Sequence, residues 1–115
     1  MIDIIGIENL NKNIWTSYQN NKIIVLYFGA EWCGPCKKLK DKIYSLNEQQ
    51  IMTDVNVLHI DIDDSDNTEI SDMYDIQSLP TQIFITLKEN KIIELHKIIG
   101  YNWEKFENIY NELKK

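Results

Sequence analysis

The chain has 115 residues, 43% of them hydrophobic, and a formal net charge of −6 in which all 12 cations are lysines. That length suits one domain, residues 1–115, with a core of its own, and the acidic balance speaks against binding a phosphate backbone, which needs clustered positive charge. Met1 to Leu10 has neither the basic start nor the apolar run of a signal peptide, and no stretch reaches the length of a membrane span.

Ile2 to Ile7 is short and apolar and predicts an edge strand, after which Leu10, Ile14 and Tyr18 recur at helical spacing. Asn20 and Asn21 break that helix. Lys22 to Phe28 is a continuous β-branched and aromatic run, the pattern of a central strand covered on both faces. Gly29 to Pro35 predicts a turn. Beyond it Cys36, Leu39, Ile43 and Leu46 form one apolar stripe on a second helix, and Pro35 suits the first turn, where a missing N–H costs nothing. Val55 to Ile62 predicts another strand, ended by the acidic cluster Asp61, Asp63, Asp64 and Asp66. Ile70, Met73 and Tyr74 mark a short third helix. Ile83 to Leu87 and Ile92 to Leu95 form a hairpin through Glu89 and Asn90, with room for the second strand to run on to Ile99. Trp103, Phe106, Tyr110 and Leu113 lie on one face of a closing helix. The order βαβαβαββα, with an early strand–helix–strand crossover, implies an α/β sandwich.

Within that frame Cys33 falls at the turn between the central strand and the second helix, where unpaired backbone N–H groups carry partial positive charge. A thiolate is favoured there, and the thiolate is the nucleophile in disulfide exchange. Cys36 lies one turn further in and is expected to be the more buried. The spacing allows a disulfide across the first helical turn, so a mixed disulfide on Cys33 is resolved by Cys36. Gly34 and Pro35 stiffen the turn between them. A merely structural disulfide is the weaker account, because so short a loop restrains the unfolded chain by only roughly 2 kcal/mol. Zinc would need two more ligands, and the only histidines, His59 and His96, lack finger spacing. The acidic cluster lacks the glycine and terminal glutamate of a calcium loop and reads as a solvated strand end. Met52 and Met73 read as packing residues. In a chain without a signal peptide a reducing, cytoplasmic setting is expected, where close cysteine pairs are more often catalytic than structural.

The segment Ala30, Glu31, Trp32, Cys33, Gly34, Pro35, Cys36, Lys37, followed far downstream by Leu79, Pro80 and Thr81 and by Gly100 after the last strand, resembles the thioredoxin family. The resemblance implies a thioredoxin fold, a central mixed sheet of about five strands flanked by about four helices. It also implies a protein-disulfide reductase serving cell redox homeostasis, with no bound cofactor. Electrons would come from a thioredoxin reductase using NADPH, or from glutathione. The implied partners are disulfide-containing proteins, and a monomer is expected. On this resemblance Pro80 is cis and packs beside Cys33, and the backbone of Leu79 pairs with an extended substrate segment. Trp32, Leu79 and Gly100 form an apolar rim around the partner. A competing reading is a binding module in which redox turnover is incidental, but a scaffold has no need of two positioned thiols. An oxidase or isomerase fits less well, because the Gly34, Pro35 pair resembles the reducing members.

Three departures stand out. Where the family buries an aspartate beneath the second cysteine and pairs it with a lysine, this chain has Tyr27 and His59. Cys36 is then expected to lose its proton to water or with help from His59, an imidazole being the side chain that exchanges protons near neutral pH; the alternative reading of His59 is a partly exposed strand residue. Asp41 replaces a helix-kinking proline, which predicts a straighter helix, and an insertion near Asp64 to Asn67 lengthens the next connection.

Overall fold

The apolar run at residues 23–29 lies in the middle of a five-stranded sheet in the computed structural model, which describes residues 1–49 and 52–114. In chain order the elements are β1 (Ile2–Asp3), α1 (Ile7–Gln19), β2 (Ile23–Gly29), α2 (Gly34–Glu48), β3 (Val55–Asp61), a 3-10 turn (Ser65–Asn67), α3 (Thr68–Met73), β4 (Thr81–Lys88), β5 (Lys91–Ile99) and α4 (Trp103–Leu113). The sheet order is β1-β3-β2-β4-β5. Strands β1, β3 and β2 are parallel, and β4 runs antiparallel to both β2 and β5. The fold is the thioredoxin fold that the resemblance implied, with five strands and four helices among the described residues.

Both faces of β2 are covered, which is why its sequence shows no polar alternation. Val25 and Tyr27 face a cluster with Leu39 and Ile43 of α2, Phe84 of β4 and Phe106 of α4. Ile24, Leu26 and Phe28 face the other cluster, with Leu10 and Ile14 of α1 and Ile70 of α3. The sheet is thus the middle layer of three. Trp103 stacks on Phe106 at 4.7 Å between ring centroids, and Phe106 meets Phe84 at 5.1 Å, so the aromatic stripe of α4 closes the first cluster.

The hairpin matches expectation: β5 reaches Ile99, and Glu89 and Asn90 have φ of 53° and 64°, the two left-handed residues of a tight two-residue turn whose twist suits the strands. Elsewhere the boundaries and faces differ from the sequence reading. The first strand stops at Asp3 instead of Ile7, because Gly6, at φ 87°, turns the chain directly into α1. On α1 it is Ser17, not Tyr18, that is buried. Ser17 Oγ donates to the Asn13 carbonyl at 2.7 Å and accepts from Asn56 Nδ2 at 2.9 Å, so both of its polar capacities are satisfied. Met73 is 59% exposed and does not pack as expected, since α3 ends there and Ile70 and Tyr74 take the inward positions. Helix α2 runs without a break through Asp41, an exposed position.

Candidate active site

Trp32, Cys33, Cys36, Leu79, Pro80 and Gly100 lie at one end of the sheet. Phe28 near the end of β2 pairs with Thr81 at the start of β4, and Thr81 pairs with Ile99 at the end of β5. The turn carrying Trp32 and Cys33, the Leu79–Pro80 segment and Gly100 therefore leave the sheet side by side.

Cys33 is the N-cap of α2, with extended backbone angles of φ −85° and ψ 111°. Its Sγ accepts the N–H of Cys36 at 3.2 Å, the place a serine or aspartate oxygen takes in an ordinary cap. The two sulfurs are joined as a disulfide with the Cα atoms 5.2 Å apart. Helix geometry supplies that separation, because the cap and the third helical residue fall on the same side of the first turn. The two cysteines differ less in burial than expected, at 5% and 2% exposed, since the disulfide draws Cys33 against the helix. What distinguishes them is the cap position: only Cys33 Sγ sits before the free N–H groups. A Cβ on Gly34 would meet nothing within 4 Å, so glycine there leaves the space over the turn open and relieves no clash.

Around the pair, Trp32 is 68% exposed, and its ring is anchored by Nε1 donating to Asp63 Oδ2 at 2.8 Å. The acidic strand end is accordingly more than a solvated run. Asp61 Oδ1 accepts from the Asp63 N–H, and Asp64 Oδ1 from the Asp66 N–H, each at 2.9 Å, folding the lengthened connection into two side-chain-capped turns. Among the described residues no group of three or more His, Cys, Asp or Glu is placed to hold a metal ion. The Leu79–Pro80 peptide is cis, Pro80 is buried and Leu79 half-buried. The Pro80 carbonyl accepts from the Gly100 N–H at 2.7 Å, and Gln82 Nε2 donates to the Gly100 carbonyl at 3.2 Å, tying the rim residue Gly100 to the cis proline.

Beneath the cysteines the strand register builds a polar row across the sheet. Asp3 pairs with His59, His59 with Tyr27, and Tyr27 with Gln82. Tyr27 is 1% exposed, its ring lies 4.9 Å from the His59 ring, and its hydroxyl donates to the Cys36 carbonyl at 3.0 Å. Gly29 permits this approach, since a Cβ there would come within 2.9 Å of the tyrosine ring. Burial pushes the Tyr27 hydroxyl up to about 12. The residue at this position is thus a neutral donor to the backbone of the second cysteine. His59 is half-buried and its Nδ1 meets Asp3 Oδ1 at 3.0 Å. It therefore makes its polar contact to the first strand, and no hydrogen bond joins it to Cys36. Sequence reasoning missed Asp3, Asp63 and the Tyr27–Cys36 bond. A cleft of about 600 Å³ does bring His59, Asp3, Tyr27 and Cys36 to one space, with Lys37, Lys40, Glu31, Asp61 and Asp64 on its walls.

The tyrosine bond carries a prediction. A phenol that ionises at about 12 in the folded chain, against 10.0 ordinarily, favours the folded state fully below pH 10, and that preference is lost as pH rises through 12. Tyr27→Phe should cost about 1 kcal/mol at neutral pH through loss of the hydrogen bond to the Cys36 carbonyl and should flatten the fall in stability between pH 10 and 12. Urea denaturation midpoints across that range test this; an unchanged alkaline slope would reject it.

Comparison with known proteins bears on this site. The thioredoxin family model matches residues 6–113. Thioredoxin of Pongo abelii is 34% identical over 93 residues, 81% of each chain. Among solved structures, the X-ray structure of Fasciola hepatica thioredoxin has a TM-score of 0.81 at 27% identity, covering 99% of this chain and 100% of the other. The structure of Trichomonas vaginalis thioredoxin has a TM-score of 0.85 at 24% identity, covering 99% and 97%, a likeness of fold.

Proposed function

As the chain belongs to the thioredoxin family of protein thiol–disulfide oxidoreductases, we propose that Cys33 is the thiol that attacks substrate disulfides and Cys36 the thiol that releases the product. One observation carries the assignment: Cys33 Sγ is the cap of a 15-residue helix and already accepts a backbone N–H from its first turn. A sulfur held there is favoured as thiolate, and its partner one turn inside is not.

In the reducing direction the Cys33 thiolate forms a bond to one substrate sulfur and displaces the other as a thiolate. The Cys36 thiol then loses its proton and attacks Cys33 Sγ. The mixed disulfide breaks, the Cys33–Cys36 disulfide forms, and the second substrate thiolate leaves and takes up a proton. Two electrons pass from the dithiol to the substrate, and no bound cofactor is required. Trp32, Leu79, Pro80 and Gly100 form the contact rim for an extended, disulfide-bearing protein segment, with Gly34 and Pro35 supporting the helix start.

A thioredoxin reductase using NADPH, or glutathione, returns the pair to the dithiol. The chain works as a monomeric single domain, residues 1–115, in a cytoplasmic, reducing compartment. No helix among the described residues is long and apolar enough to cross a membrane. Reduction of insulin disulfides, driven by dithiothreitol or by NADPH with a thioredoxin reductase, tests the activity, and equilibrium with a glutathione buffer gives the potential. A value in the range usual for thioredoxins, about −270 mV, supports the reducing direction, whereas one near about −120 mV would mean that the chain oxidises its partners.

A further inference from the structure

We infer that the Asp3–His59 pair is the proton acceptor for Cys36, reached through water in the cleft that both side chains share with that cysteine, with Asp3 as a positioning residue. The inference deepens the assignment of Cys36 as the resolving thiol and rests on it.

Resolution has a chemical requirement that the helix N-terminus does not meet. Cys33 is activated by the cap, but Cys36 lies inside the first turn, 2% exposed, with its own N–H already committed to Cys33 Sγ. A thiol so placed needs somewhere to send its proton before it can attack. The residue directly beneath it, Tyr27, does not serve, because its hydroxyl is a donor to the Cys36 carbonyl and burial keeps it protonated far above neutral pH.

The cleft walls narrow the choice. Lys37 and Lys40 of α2 are cations and accept nothing when charged. Asp61 and Asp64 spend an oxygen each on the turns that follow β3, and Glu31 is exposed on the loop before Cys33. His59 of β3 remains, facing Asp3 of β1, Tyr27 of β2 and the two lysines of α2. An ionised carboxylate only accepts, so the 3.0 Å contact to Asp3 requires the hydrogen on His59 Nδ1 and leaves Nε2 with a free lone pair. An imidazole oriented in this way by a carboxylate presents Nε2 as the acceptor of a proton. The cleft that both groups line, at about 600 Å³, has volume for several waters. In the balanced step Cys36 gives its proton through water to His59 Nε2, the Cys36 thiolate attacks Cys33 Sγ, and the imidazolium returns the proton to the departing substrate thiolate.

The two thiols can be read separately by stopped flow with an aromatic nitrobenzoate disulfide, whose released thiolate is coloured. The first burst reports attack by Cys33 and the second reports resolution by Cys36. His59→Gln retains a donor for Asp3 but cannot take a proton. It should leave the first phase unchanged and slow the second roughly a hundredfold near pH 7, the lower end of what a positioned base supplies. The pH dependence of the second phase should differ between the unaltered protein and His59→Gln, in which it should climb steadily with hydroxide. Asp3→Asn, which keeps the ring but frees its tautomer, should slow the second phase less than His59→Gln does, and it stands in should that variant fail to fold. Equal slowing of both phases, or a second phase whose pH profile is unaltered in both variants, would overturn the inference. In Cys36→Ser the second phase must vanish; its persistence there would instead refute the assignment of Cys36, whatever His59 does.

Discussion

Cys36→Ser should capture substrate, and Cys33→Ser should not. With Cys36 replaced, the cap is intact, because the N–H that Cys33 Sγ accepts belongs to the backbone of residue 36 and not to its side chain. Attack on a substrate disulfide proceeds, but no thiol stands one turn inside the helix to break the mixed disulfide, so the complex accumulates. Steady-state insulin reduction should fall by roughly 10⁴-fold or more, the order of loss seen when one member of a covalent catalytic unit is removed. Non-reducing gel electrophoresis should show one substrate chain per protein, released by dithiothreitol. With Cys33 replaced, activity should fall as far but without a complex, since the remaining sulfur is 2% exposed and does not hold the cap position. Trapping by the Cys33 variant, or equal trapping by both, would reverse the assignment. The comparison separates enzyme from scaffold as well: a docking surface would keep its partner after either substitution.

The cysteine site was legible because its determinants are local. Strand β2, the turn and the start of α2 are contiguous, and the pair's spacing sets its geometry through the helix period alone. The hairpin was legible for the same reason, its turn lying in two adjacent residues. What could not be read is what long-range pairing decides. Asp3 meets His59 across 56 residues, and Trp32 meets Asp63 across 31. In the sequence both aspartates are ordinary surface acids, and only the parallel register of β1 with β3 and the folding of the lengthened loop give them partners. Tyr27 illustrates the converse. Its position beneath the second cysteine was foreseen by resemblance, but that its hydroxyl reaches the Cys36 backbone depends on the space left by Gly29, two residues along the same strand. The first strand was read as too long because Ile4 and Ile5 are apolar, whereas the left-handed backbone at Gly6 decides where the chain turns.

Asn67 is the least legible of these residues, and its replacement should cost the most stability. It stands in the loop the sequence reading treated as a simple insertion, yet it is fully buried. Its Oδ1 accepts the Gly6 N–H at 2.8 Å, and its Nδ2 donates to the carbonyls of Ile4 and Asp61 at 3.1 Å each. One amide thereby joins the end of β1, the cap of α1 and the end of β3, groups more than 60 positions apart in sequence for the first two. Asn67→Ala leaves the Gly6 N–H and the Ile4 carbonyl without the amide and takes one of two bonds from the Asp61 carbonyl, which still accepts the Asp64 N–H; at about 1 kcal/mol for each bond the loss is roughly 3 kcal/mol, which for a chain of this size lowers the melting temperature by about 12 °C or more. Asn67→Asp should be no better at neutral pH, because a carboxylate keeps the contact with Gly6 but turns a second oxygen toward two carbonyls. Urea unfolding measures both, and a loss under about 0.5 kcal/mol for the alanine variant, the range of ordinary surface changes, would show that the clamp is redundant. The clamp also bears on chemistry, since it fixes the strand that carries Asp3. A destabilised but folded Asn67→Ala chain should therefore reproduce, in part, the slow second phase of Asp3→Asn while its first phase stays normal.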